Sequence, residues 1–183
     1  MIGFLRNGGA ALLATALFPA LTFAWSANTG VQPLSERSGL EQRVREEVAS
    51  LQYYSVFDNL SFRVDGSRVE LSGQVTQAVV KEDAERAVRR LPGVSSVSNE
   101  IEVLPTSRGD DRIRRDVYYA VYGYGPLQRY GAGLHPAIRI VVKNGNVSLI
   151  GAVSNAADRA IVYQRVMTVP GVFSVSNHLL VEI

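Results

Sequence analysis

The chain has no cysteine, one tryptophan and two histidines among its 183 residues. Without cysteine it forms no disulfide, carries no thiol nucleophile and offers no thiol for a lipid anchor, so its core alone must hold it together. The histidines, His135 and His178, are far apart and have no obvious carboxylate companion. Zinc sites want three or four ligands, so both are expected to be surface or hydrogen-bonded residues, with no metal bound. Also missing are a Gly-x-Ser-x-Gly elbow, a His-Glu-x-x-His helix and a phosphate-binding glycine loop. The carboxylates Glu82, Asp83 and Glu85 read as a solvated helix face. Neither an enzymatic role nor a cofactor is expected.

A long apolar run is missing as well. Ala10 to Ala24 is small and apolar but broken by Pro19, and it falls short of the roughly twenty residues that span a membrane. Arg6 precedes it, and Thr22-Phe23-Ala24 or Ala24-Trp25-Ser26 would suit a small-residue cleavage site. Residues 1–24 are therefore expected to be a signal peptide, or an anchor if uncleaved. Residues 25–39, polar and carrying Pro33, are expected to be a disordered leader. The remainder is globular in composition, with 46% hydrophobic and 20% charged residues over the whole chain.

What is present is a repeat. Val69-Glu70-Leu71-Ser72-Gly73-Gln74-Val75 returns as Val147-Ser148-Leu149-Ile150-Gly151-Ala152-Val153. Leu91-Pro92-Gly93-Val94 returns as Val169-Pro170-Gly171-Val172, and Val97-Ser98-Asn99 as Val175-Ser176-Asn177. Each pair is offset by 78 (147 − 69, 171 − 93, 177 − 99), which marks a duplicated folding unit.

Each copy reads as helix, strand, strand, helix, strand. Val44, Val48 and Leu51 give a helical stripe, closed by Tyr53 and Tyr54. Leu60, Phe62 and Val64 alternate as a strand, and Asp65-Gly66 turns into the strand of Val69, Leu71, Gly73 and Val75. Gly73 and Gly151 are structural positions, expected to admit the following helix close to the sheet. Thr76 and Ser154 are candidate N-caps. Val80, Ala84, Ala87, Val88 and Leu91 continue a second stripe, and Gly93 and Gly171 stop the second helix of each copy. Strands flanking that helix should be parallel. Boundaries are placed at 40–104 and 111–183 with a linker at 105–110. The first-helix stripe recurs at an offset of 69 (113 − 44), so the second copy holds nine extra residues (78 − 69), within about 127–139. Asp158 replaces Val80 and Arg165 replaces Ala87, so its second helix should pack differently or less tightly. Units this small are marginal alone, so the two are expected to pack together.

Charge is uneven. Glu41 to Leu104 holds 11 acids and 8 bases, and Asp110 to Ile183 holds 5 acids and 8 bases. The opposite signs should draw the halves together and turn the basic one toward an anionic surface. Arg112 opens the helix; with Ile113, Val117 and Ala120 inward, Arg114, Arg115, Tyr118, Tyr119 and Tyr122 spread over its outer side, followed by Arg129 and Tyr130. Arginine with tyrosine suits a membrane interface, and these eight residues are the candidate lipid-binding set. Some of the tyrosines could instead cover the sheet edge or the other unit. At roughly 1 kcal/mol per basic residue near an anionic bilayer, attachment should be weak and salt-sensitive. The same patch would suit nucleic acid, but export argues against that partner.

The repeated string, with its strand glycine, Pro-Gly-Val turn and Val-Ser-Val-Ser-Asn strand, resembles the BON domain, and the resemblance covers both halves. It implies an α+β fold of two αββαβ units, each a three-stranded mixed sheet with two helices on one face. It implies a non-enzymatic role at the bacterial envelope, with anionic phospholipid as the candidate partner and osmotic stress as the setting. An exported chain of this kind is similar to osmotically inducible periplasmic proteins. A protein- or peptidoglycan-binding module, using the exposed helix or the insertion from Gln128 to His135, is the alternative.

Overall fold

The structure is a computed structural model describing residues 34–133 and 136–182, all within one compact unit, Val31–Ile183. Residues 1–24, most of the expected leader and His135 lie outside the described residues. The first half runs α1 (Leu34–Ala49), β1 (Asn59–Asp65), β2 (Arg68–Val75), α2 (Ala78–Arg89) and β3 (Ser96–Val103). The second runs α3 (Arg108–Tyr122), a 3-10 helix at Gly125–Gly131, β4 (Ile138–Lys143), β5 (Asn146–Val153), α4 (Ala156–Met167) and β6 (Ser174–Val181). Helix α1 thus opens within the stretch expected to be disordered leader, and it ends before Tyr53 and Tyr54. Helix α3 takes up the second half of the expected linker.

In each half the first two strands pair antiparallel and the last two parallel, in the order β1-β2-β3 and β4-β5-β6, with β2 and β5 central. The expected αββαβ plan therefore occurs twice. Valine-rich alternation explains the layering. Val69, Leu71 and Val75 of β2 are buried against Val44 and Val48 of α1 and Val80, Ala84 and Val88 of α2. Val147, Leu149 and Val153 meet Ile113, Val117 and Val121 of α3 and Val162 and Val166 of α4 in the same way. Burying each such side chain contributes roughly 1.5–3 kcal/mol.

The strand glycines do a different job from the one expected. Gly73 has φ +119° and Gly151 φ +129°. A Cβ on Gly73 would overlap the carbonyl of Asn59, and one on Gly151 that of Ala137. The close approach is to the start of the neighbouring strand, and not to a helix. The β4–β5 hairpin turns on Asn144 (φ 52°) and Gly145 (φ 77°), both positive as a type I′ turn requires. Two amides of that turn, Asn144 and Gly145, donate to the buried carboxylate of Asp110 at 2.8 Å each.

The caps also differ from expectation. Helix α2 has Gln77 as N-cap, with no side-chain cap bond, and α4 has Asn155, whose side chain accepts from the Asp158 amide. Thr76 does not cap: its amide and hydroxyl both donate to Asp58, at 2.6 and 2.9 Å. Fully buried Asp58 also accepts from the amide and hydroxyl of Ser55. It thereby pins the segment from Ser55 to Asp58 against the end of β2.

That pinned segment joins the halves. The Ile140 amide of β4 donates to the Val56 carbonyl at 2.9 Å, and Arg139 donates to the Ser55 carbonyl at 2.8 Å while stacking over Tyr54. Val56 and Phe57 pack against the second core. Opposite charge contributes less than its uneven distribution suggests: among the described residues one ion pair, Lys143–Glu102 at 2.5 Å, crosses between the halves, and both side chains are about 40% exposed. Gln74 and Lys143 bond Glu102 and hold its carboxyl below the usual range.

Candidate functional site

Helix α3 starts where Ser107 accepts the Asp110 amide at 3.2 Å, with Asp110 and Asp111 in its first turn favouring the positive helix end. Ile113, Val117 and Val121 turn the helix onto its own sheet. Its other sides are not all free, because Phe57 from the first half meets Tyr118 edge-on at 6.2 Å.

This divides the eight candidate residues. Arg114 was expected outside but is buried, donating to Asp111 at 2.6 Å and to the Val142 carbonyl at 2.7 Å. Tyr122 is also buried, its hydroxyl donating to the Ile138 carbonyl at 2.5 Å, and burial pushes its ionisation up. Tyr130, within the 3-10 helix, is buried, and Arg129, though exposed, is paired with Asp158. These four are corrected from surface to structural positions. Arg112, Arg115, Tyr118 and Tyr119 remain exposed. Arg112, Arg115 and Tyr119 fall at i, i+3, i+7 on one face, and Tyr119 is 69% exposed. Asp116 tempers that face by pairing with Arg112 at 3.7 Å.

Both departures in α4 have partners within the second half, and the insertion supplies those of Asp158. Asp158 accepts from Arg129, from the Tyr130 hydroxyl at 2.5 Å and from Asn155 at 3.0 Å. Arg165 donates to the Ala120 carbonyl at 2.5 Å and stacks over Tyr124 at 4.3 Å. The inserted segment thus supplies Arg129 and Tyr130 to Asp158, while Arg165 finds its partners in α3 and in Tyr124 just beyond it. Tyr130 also accepts the Ser154 amide at 2.9 Å, the equivalent of the Thr76 amide that Asp58 accepts in the first half. The Tyr130 bond, followed by the Asp158 charge, pushes the Arg129 guanidinium up.

Two apolar residues escaped the periodicity argument. Phe173 is 83% exposed and Leu180 71%. The repeat itself signals them, since the residues 78 positions earlier are Ser95 and Glu102. Phe173 and Arg112 line one shallow groove at the start of α3, of about 550 Å³. His178 is exposed on β6. Among the described residues no three histidines or carboxylates cluster to hold a metal, and no helix is long and apolar enough to cross a membrane.

Two repeated αββαβ units with an exposed basic-aromatic helix define a small duplicated binding fold. The BON domain family model matches residues 37–105 and 131–182, and the chain belongs to that family. BON-domain proteins are typically proteins of the bacterial envelope and generally non-catalytic. No curated protein sequence matches the chain. Among solved structures, the C-terminal domain of CdsD, titled the structural protein of the type III secretion system of Chlamydia trachomatis, aligns at 12% identity and TM-score 0.32, covering 84% of this chain and all of that one. A second CdsD structure aligns at 12% identity and TM-score 0.32, covering 79% of this chain and 92% of its own. Overlap that loose carries no argument about function.

Proposed function

We propose that the protein is a non-enzymatic adaptor of the bacterial envelope, exported to the periplasm, that touches anionic phospholipid surfaces weakly through the outer side of α3 and the neighbouring Phe173. The exposure of Arg112, Arg115, Tyr119 and Phe173 on one side of the second half carries this reading. Arg108, Arg112 and Arg115 are exposed and Asp116 opposes them, which leaves a net charge worth about 2 kcal/mol at an anionic bilayer. Inserting Phe173 adds about 2 kcal/mol, and the sum corresponds to dissociation near the millimolar range. Stable attachment therefore needs several copies or a second anchor. A role in envelope maintenance under osmotic stress fits such reversible contact.

Flotation with phosphatidylglycerol liposomes tests the reading. Binding should rise with anionic lipid fraction, fall with salt, and drop at least about tenfold in Arg112→Gln/Arg115→Gln/Phe173→Ser. Equal binding to neutral vesicles, or full binding by the triple variant, would defeat it. A protein-binding module is the second reading, favoured by Leu180, which stands exposed on the edge strand β6 away from a basic helix. It predicts saturable capture from envelope extract without lipid, lost in Leu180→Glu.

A further inference from the structure

A cleft of about 330 Å³ lies between the halves, lined by Phe57, Gln77, Thr106, Asp111, Arg114 and Arg115, among others. It differs from the membrane-facing side in being built from both halves. Arg114 is 5% exposed, and its Nε has no hydrogen-bond partner although its two terminal nitrogens do. A buried guanidinium N–H left open is costly and points to an acceptor. Arg115 lines the same space, exposed and without an ion-pair partner among the described residues.

The third contribution is the start of α2. Gln77 is its N-cap and lines the cleft, makes no side-chain cap bond, and is followed by no acid in the first turn. The equivalent helix α4 is capped by Asn155 and carries Asp158 in its first turn. The Val80 amide bonds the Gln77 carbonyl, and the Ala78 and Val79 amides with the helix dipole are left for an outside anion. Two acids stand nearby. Asp111 is engaged by Arg114, and buried Asp58 is engaged by Thr76 and Ser55. The volume is at the lower end of small-molecule sites, roughly 300–1,000 Å³.

We propose that this cleft binds a small phosphate-bearing anion, the phosphate oxygens accepting from Arg114 Nε, Arg115 and the α2 N-terminal amides. The anion would bridge the two halves. The inference does not rest on membrane docking by α3. Its source is either a soluble phosphate ester or a lipid headgroup.

The experiment is an amide and arginine-side-chain NMR titration of the full chain, at constant ionic strength. The probes are inorganic phosphate, glycerol 3-phosphate and phosphatidylglycerol vesicles, with phosphatidylcholine vesicles as control. Saturable shifts at Gln77, Ala78, Val79 and Arg114 Nε are expected. Saturation by the soluble probes identifies a free phosphate ester; saturation by the anionic vesicles alone identifies a headgroup. Gln77→Asp places a carboxylate on the same amides, and should abolish saturation without lowering the melting temperature. Arg115→Gln should weaken binding roughly tenfold, the loss of one charge-assisted bond. No saturable shift with any phosphate probe would mean that only water fills the cleft, and would overturn the proposal. So would unchanged binding by Gln77→Asp. Gln77→Asp leaves Arg112, Arg115 and Phe173 in place, so it should lose the saturable shifts with the soluble probes and still float with anionic vesicles; loss of flotation alone or of the shifts alone makes the two readings fail separately.

Discussion

At Gly151 the backbone is held at φ +129° with the Ala137 carbonyl where a Cβ would sit. Gly151→Ala must absorb both the dihedral strain and the overlap, and is expected to cost about 2–4 kcal/mol in denaturant unfolding. Gly66→Ala is the comparison: it has a positive φ but nothing within 4 Å, and should cost only about 1 kcal/mol. Equal losses would show that crowding at the strand start is unimportant. Tyr122 gives a pH signature. Its phenol is buried and its ionisation raised above the ordinary value of about 10. Above that pH the unfolded chain loses the proton while the folded chain keeps it, so stability falls as pH rises. Between about pH 10 and 12 the stability of Tyr122→Phe should decline less steeply than that of the parent chain. Parallel declines would place Tyr122 in water.

Elements were more legible than the faces they present. The repeated string, read with period-two and helical spacing, located the six strands and four α-helices because the same plan was written twice, but not the 3-10 helix at Gly125–Gly131 or the first turns of α1. It also marked Asp158 and Arg165 as departures, though not their partners. The partners of Asp158 come from Gly125–Gly131, which has no counterpart in the first half, and those of Arg165 from the end of α3 and Tyr124 beyond it. The outer side of α3 was misread for a related reason. Helical spacing finds the stripe facing its own sheet, yet cannot show that Asp111 and the Val142 carbonyl hold Arg114 or that the Ile138 carbonyl holds Tyr122. Tyr130 tests how the inserted element is integrated. Tyr130→Phe leaves the Ser154 amide and Asp158 short of a partner, and should cost about 1–3 kcal/mol in thermal or denaturant unfolding. A loss under a few tenths would mean that the insertion lies on the surface without supporting α4.

For the whole molecule, Ser55–Asp58 orders the halves and leaves one side of the second half open. Among the described residues the charge difference between halves contributes a single half-exposed ion pair to that junction, so backbone hydrogen bonding to β4 and the packing of Val56 and Phe57 carry it. The net basic charge is left for a partner. Because the chain has no cysteine, one introduced thiol reports one place. The most direct measurement attaches an environment-sensitive fluorophore to Tyr119→Cys on α3, and in a second sample to Ser98→Cys on the exposed face of β3. Phosphatidylglycerol vesicles at low salt should shift the emission of the first label to the blue and leave the second unchanged, with the shift reversed by salt. The same response at both positions, or a Tyr119→Cys response that neutral vesicles reproduce, would contradict docking through this side of the protein.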